Sequence, residues 1–189
     1  MIYKELISYL DFFISYIPGA LGQRLRRLWF SFRFNTNAKV SIEPGCEFIS
    51  PNSITIKEIG VSIGRNCYFN ADGGFIQIGT KTSFNRNVHI NASIGGKISI
   101  GDFVLIGPNV VMRSANHKFD DPSTYIKYQG HQVNDIIIEN NVWIASNVII
   151  VGGVRIGEGS VIGAGAVVTK DIPSRSIAIG VPARVIKSR

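Results

Sequence analysis

From Ile42 onward, bulky aliphatic or aromatic residues return every six positions. Ile42, Phe48 and Ile54 begin the series, which restarts at Ile63 and Phe69, at Ile78, Phe84 and Ile90, and at Ile100, Ile106 and Met112. After a break it runs unbroken through Ile138, Ile144, Ile150, Ile156, Ile162 and Val168. Six is the period of neither an amphipathic helix nor a strand by itself. It fits a short strand plus a turn, three to a coil. Four residues after the bulky positions stand smaller ones: Cys46, Cys67, Thr82, Val88, Val104, Val110, Val142, Val148, Val154, Ser160 and Ala166. Gly, Asn or Asp often follows the bulky residue directly, as in Ile63-Gly64 and Ile100-Gly101-Asp102, and is read as answering the backbone angles of a tight corner. The pattern predicts a three-sided column of parallel strands, bulky residues inside and small ones near the corners, with coils about 4.8 Å apart. Such a column buries a core only by stacking coil on coil.

The first thirty-odd residues follow another period. Ile2 to Ile17 is apolar but interrupted by Lys4, Glu5, Ser8, Asp11 and Ser15, and Pro18-Gly19 ends it. That is short of the roughly 20 apolar residues a bilayer needs. Asp11 and the lack of a small-x-small site argue against a signal peptide, so a cytoplasmic protein is expected. Beyond Pro18, Leu21, Leu25, Leu28, Trp29 and Phe32 fall at helical spacing, flanked by Arg24, Arg26, Arg27 and Arg33. A basic amphipathic helix rich in aromatics reads as an element lying on the inner face of the cell membrane. The alternative is a helical cap over the open strand edge at the end of the column. The expected organisation is a helical segment over 1–36 and a β-helix over 37–189, with an excursion loop at 113–137.

Composition narrows this picture a little. A length of 189 residues fits one main domain. The net charge of +7 admits nucleic acid, anionic lipid or phosphorylated small molecules as partners. No nucleic-acid module is recognisable, so nucleic acid is not expected. Cys46 and Cys67 both fall in the small inward register and read as core packing. His89, His117 and His131 lie 28 and 14 positions apart, a spacing that predicts no metal site.

The break in the repeat, between Met112 and Ile138, must leave the column as a loop, and loops on rigid scaffolds concentrate function. His117 stands at its start, five residues after Met112 and so close to the scaffold. An imidazole titrates near neutrality and suits general-base work, although a lone histidine is as readily a surface residue.

The stretch from Val142-Trp143-Ile144 through Val167-Val168-Thr169-Lys170-Asp171-Ile172-Pro173, ending in Gly180-Val181-Pro182-Ala183-Arg184, resembles the hexapeptide-repeat acyltransferases. The likeness covers about residues 40 to 187. It is similar to maltose and galactoside acetyltransferases, and closer in character to O-acetyltransferases of capsule, exopolysaccharide and O-antigen synthesis. The resemblance implies an all-β left-handed parallel β-helix, a homotrimer with active sites between neighbouring prisms, acetyl-CoA as co-substrate and no metal. It implies His117 as general base and Asn85 as the residue orienting acceptor and histidine. Read without it, Asn85 is equally a corner residue chosen for its backbone angles. It places the oxyanion donor at a backbone N–H of Ala145-Ser146, Trp143 beside the cofactor arm, and Ala164 behind the pantetheine. Thr169, Lys170 and Arg184, joined by Lys187, are expected at the adenine and phosphate end. The implied acceptor is a saccharide, lipid- or nucleotide-linked, in cell-envelope polysaccharide synthesis. The segment Asn91 to Gly96 lacks the acidic acceptor contact of the galactoside enzymes, so a simple galactoside is not implied. The rival readings are N-acetylation of an amino sugar and a non-catalytic scaffold.

Overall fold

In the computed structural model, which describes residues 2–34, 36, 40–57 and 59–189, two helices stand on one end of a left-handed parallel β-helix. The expected boundary at 36/37 abuts positions 37–39, which lie outside the described residues. The column has three faces. The first stacks seven parallel strands, from Ser41–Ile42 through Ser83–Phe84, Leu105–Ile106 and Trp143–Ile144 to Ser176–Ile179, and is closed by the antiparallel strand Arg184–Ser188. The second runs from Glu47–Ile49 through Tyr68–Asn70, His89–Asn91, Val111–Arg113 and Ile149–Val151 to Val167–Val168. The third runs from Ile54–Ile56 to Arg155–Ile156.

Every bulky residue of the sixfold series and every member of the small register is buried. Where the spacing lengthens, the third face takes a second inward isoleucine: Ile56, Ile76, Ile98 and Ile136.

The corner chemistry differs from the expectation. The glycine directly after a bulky residue does not adopt a positive φ. The left-handed position comes two residues later, at Asn66, Asn87, Asn109 and Asn147 between the first and second faces. Asparagine tolerates that region because its short amide can bond locally. Here the amides also bond along the column, Asn87 Nδ2 to Asn109 Oδ1 at 3.1 Å and Asn109 Nδ2 to Asn147 Oδ1 at 3.0 Å. The glycines answer a different demand, which is close approach. A Cβ on Gly107 would lie 2.7 Å from the carbonyl carbon of Ala145 in the next coil.

Helix α1 (Ile2–Tyr16) and helix α2 (Gly19–Arg33) cap the first coil. Phe30 of α2, with Phe34 just beyond its end, packs on Phe48, which stacks on Phe69 at 5.3 Å, which meets Phe84 at 5.2 Å. A file of rings therefore runs from the cap into the column. The Ser15 carbonyl accepts from Gly45 N–H at 3.1 Å, and the Ser15 hydroxyl donates to Cys46 O at 2.9 Å, satisfying strand-edge groups. Two of the four arginines expected on a lipid-facing surface are spent inside the cap. Arg26 is 1% exposed and donates to the carbonyls of Ile42, Ile17 and Ser15. Arg33 pairs with Asp11, which also accepts from Trp29 Nε1. The buried stripe of α2 is Gly22, Arg26 and Phe30, and Leu21, Leu28 and Phe32 face outward.

Candidate active site

The corner between the first and second faces stacks Gly64, Asn85, Gly107, Ala145 and Gly163 in one column, each linked to the next coil by a backbone hydrogen bond. Asn85 and Ala145 are thus two coils apart, on the order of 10 Å along the axis. The exposed Asn85 turns its Oδ1 back to accept from Arg86 N–H at 2.8 Å, and its amide NH2 bonds nothing among the described residues. Its carbonyl accepts from the Cys67 thiol at 3.0 Å, so a buried core residue holds the corner in place.

Beside that column, Trp143 stands on the outer surface of the first face, 52% exposed, between Leu105 and Val161. Ala145 N–H is used in the ladder, donating to Ile162 O at 2.9 Å. Ser146 N–H bonds nothing among the described residues, so it is the free donor of the pair. Ala164 lies one coil further at the same corner, small and exposed. Arg184 and Lys187 sit on the closing strand, opposite Ile179 and Ile177, at the same end of the first face as Trp143. Among the described residues Lys170, Arg184 and Lys187 make no ion pair. Arg184 and Lys187, the small-residue column and the free N–H suit a long polyanionic thioester such as a coenzyme A derivative.

His117 stands elsewhere. The chain leaves the second face after Arg113 and forms an antiparallel hairpin in which Ala115–His117 pairs with His131–Val133. The hairpin base is tied by Asn134 N–H to Ser114 O at 2.9 Å, and Ser114 is fully buried. His117 is exposed, and its imidazole packs on that of His131 with centroids 4.3 Å apart. Thr169 and Lys170 follow the last strand of the second face, at the same end of that face as the hairpin.

The structure therefore sorts the expected residues into two sets. Asn85, Trp143, Ala145, Ser146, Ala164, Arg184 and Lys187 gather along the first face and its corner. His117, Thr169 and Lys170 gather at the far end of the second face. Surface depressions lie on the third face, around Lys57, Gln77 and Glu139, and along the helix pair. The outer surface of the second face, between the two sets, carries Tyr68, His89, Val111, Ile149 and Val167 in one row. Tyr68 and His89 rings pack at 4.6 Å, and burial, then the nearby Arg113 guanidinium, hold the His89 imidazole below its usual pKa. That the unbonded N–H of the pair is that of Ser146 rather than Ala145, among the described residues, and that His131 stacks on His117 were not legible in the sequence.

The chain matches the family described as bacterial transferase hexapeptide (six repeats) over residues 135–170. It is 34% identical to the galactoside O-acetyltransferase of Escherichia coli K12 over 180 residues, covering 93% of this chain and 83% of that one. A hexapeptide-repeat acetyltransferase from Vibrio cholerae, solved with acetyl coenzyme A, superposes with a TM-score of 0.62 at 29% identity, covering 96% of this chain and 84% of that one. A polySia specific acetyltransferase, NeuO, superposes at 0.56 with 32% identity, covering 81% and 67%.

Proposed function

We propose that this chain, which belongs to the hexapeptide-repeat acetyltransferases and takes its acetyl group from acetyl-CoA, esterifies a saccharide hydroxyl during cell-envelope polysaccharide synthesis. The observation that carries the reading is the free Ser146 N–H at a corner of small residues, paired with an exposed histidine fixed to the scaffold. His117 takes the proton from the attacking hydroxyl and returns it to the departing sulfur. Ser146 N–H donates to the oxygen on which charge develops, and Asn85, with its amide free, orients the acceptor. General-base assistance of this kind contributes about 10²–10⁴-fold, and a single oxyanion donor about 10²–10³-fold.

Because His117 and the Ser146 corner flank opposite ends of one face, a complete site requires the hairpin of one copy to meet the corner of another. A closed ring of three such contacts gives the homotrimer, with Val111, Ile149 and Val167 supplying apolar surface on the face between. Lys170 and Thr169 then join Arg184 and Lys187 across the same boundary, around the nucleotide end of the co-substrate. The likeness to a polySia specific enzyme supports a polysaccharide, or its lipid- or nucleotide-linked precursor, as acceptor.

The helix pair adds a place for the reaction. Leu6, Tyr9, Phe12, Phe13, Leu21 and Phe32 point outward from it, and no helix among the described residues is long and apolar enough to cross a membrane. In this reading the aromatic face rests on the cytoplasmic surface of the membrane, with Arg24 and Arg27, exposed and in no ion pair among the described residues, as its cations.

The test is product analysis. Purified protein with acetyl-CoA and surface polysaccharide from a strain lacking it should yield a base-labile acetyl ester that depends on His117. A base-stable amide would move the chain to the N-acetylating enzymes, and no transfer to any saccharide would leave a scaffold.

A further inference from the structure

Among the described residues, His117 lacks the orienting partner that a general base ordinarily has. In acid–base triads a carboxylate or carbonyl bonds the second ring nitrogen and fixes the imidazole. Among the described residues, no oxygen hydrogen-bonds either imidazole of the hairpin. What His117 does have is the ring of His131, directly opposite in the antiparallel register, with centroids 4.3 Å apart and planes inclined at 39°.

The surroundings make that ring a fixed wall. The ladder continues past the pair, with Lys118 N–H donating to Gly130 O at 3.1 Å. Below it, Ala115 is buried and Arg113 Nε donates to Ala115 O at 2.9 Å, tying the strand carrying His117 to the column. Beyond the pair, Gln129 closes the loop on itself. Its side chain bonds Asp121 N, Asp121 O and Thr124 O. Ser123 and Thr124 hydroxyls hold the Asp121 carboxylate. His131 is half-buried while His117 is exposed, so the second ring is the supported one and the first rests against it.

We propose that His131 is a positioning residue for the transfer reaction: its ring face sets the orientation of the His117 imidazole in place of an orienting carboxylate. The inference rests on His117 being the base. His131 forms no bond to substrate and moves no proton. What it supplies is a ring of the right size at the right register, so its nitrogens are dispensable and its aromatic face is not.

Substitutions in the full-length protein separate these requirements, with acetyl-CoA turnover measured on O-deacetylated surface polysaccharide. His131→Ala should lower kcat by about tenfold or more, the scale of a small misplacement of a reacting group, with the KM for acetyl-CoA within about twofold. His131→Phe should recover most of the lost kcat, and His131→Gln should not. In the free protein, NMR should show the His117 ring protons shifted by the neighbouring ring in wild type and His131→Phe, and unshifted in His131→Ala. Normal kcat in His131→Ala, or His131→Phe as impaired as His131→Ala, overturns the proposal, as does absence of the ring shift in wild type. Full turnover in His117→Ala sinks the base assignment, and the positioning role with it. A dead His117→Ala beside a normal His131→Ala sinks the positioning role alone.

Discussion

Asn85 and His117 stand at opposite ends of the same face of one prism. Asn85 is in the corner where strands of the second face begin, and His117 is in the hairpin that leaves from where they end. The two groups proposed to meet one acceptor are therefore separated by the length of a strand and its flanking turns. Mixing inactive variants tests the consequence. His117→Ala and Asn85→Ala should each lose about 10²-fold in turnover while folding normally, since both side chains are exposed. Unfolded and refolded together in equal amounts, they should regain activity, with about one site in four intact in random trimers. If the mixture stays as inactive as its components, the site does not cross a subunit boundary.

The cap makes a stability prediction. Arg26→Met removes the donor for the Ile42 and Ile17 carbonyls in a buried setting and should cost about 2–4 kcal/mol. Phe48→Ala breaks the file of rings and should cost about 3–5 kcal/mol. Chemical denaturation of both, against Leu28→Ala on the outward surface as a near-neutral control, reads this directly. Equal stabilities for all three would mean that the helices do not hold the first coil.

At the proposed catalytic corner, Gly107→Ala should be damaging despite its small size. The new methyl would meet the Ala145 backbone and push the Ser146 N–H out of line. The expected outcome is a loss of kcat larger than the loss of stability explains. A matching substitution at Gly19, which has open space around its Cβ position but a positive φ and lies in the helix pair, should cost stability alone. Thermal unfolding and turnover measured on the same samples separate the two effects.

His89 gives the pH dependence a sign. Its imidazole is held below its usual value of 6.5 in the folded state, first by burial and then by Arg113. The folded protein therefore binds fewer protons than the unfolded chain, and stability rises with pH across that interval. The contribution is complete above about 6.5 and is lost as pH falls through the lower, folded value. Tyr68 packs on the ring, and Glu47 and Arg113 lie on the same surface. His89→Gln should flatten the acid side of the stability profile. An unchanged slope would assign acid sensitivity to other groups.

The column was legible because inward residues repeat with a fixed period. Ile42 through Val168 could be placed without coordinates, and so could Cys46 and Cys67. The roles of the corners were not legible, because glycine can answer two demands. At Gly107 it answers close packing of neighbouring coils, while left-handed backbone falls on Asn109 two residues on. Arg26 was misread for a similar reason. A helical projection shows charge on a face but not the three carbonyls waiting beneath it. His117 could be singled out by its place after Met112. Its pairing with His131 could not, since the turn between them is long and carries no short hairpin signal.

Both ends of the column are stopped by something other than a parallel strand. At one end Arg26 and Ser15 occupy the edge of the first coil. At the other Arg184–Ser188 doubles back against Ser176–Ile179, reversing the direction of pairing. A stack of identical coils has no intrinsic reason to finish, and an unblocked terminal coil would accept the first coil of another molecule as readily as it accepts its own neighbour. These two stoppers keep the protein a discrete particle rather than a filament. Stripping either one should turn a bounded column into a self-propagating rod.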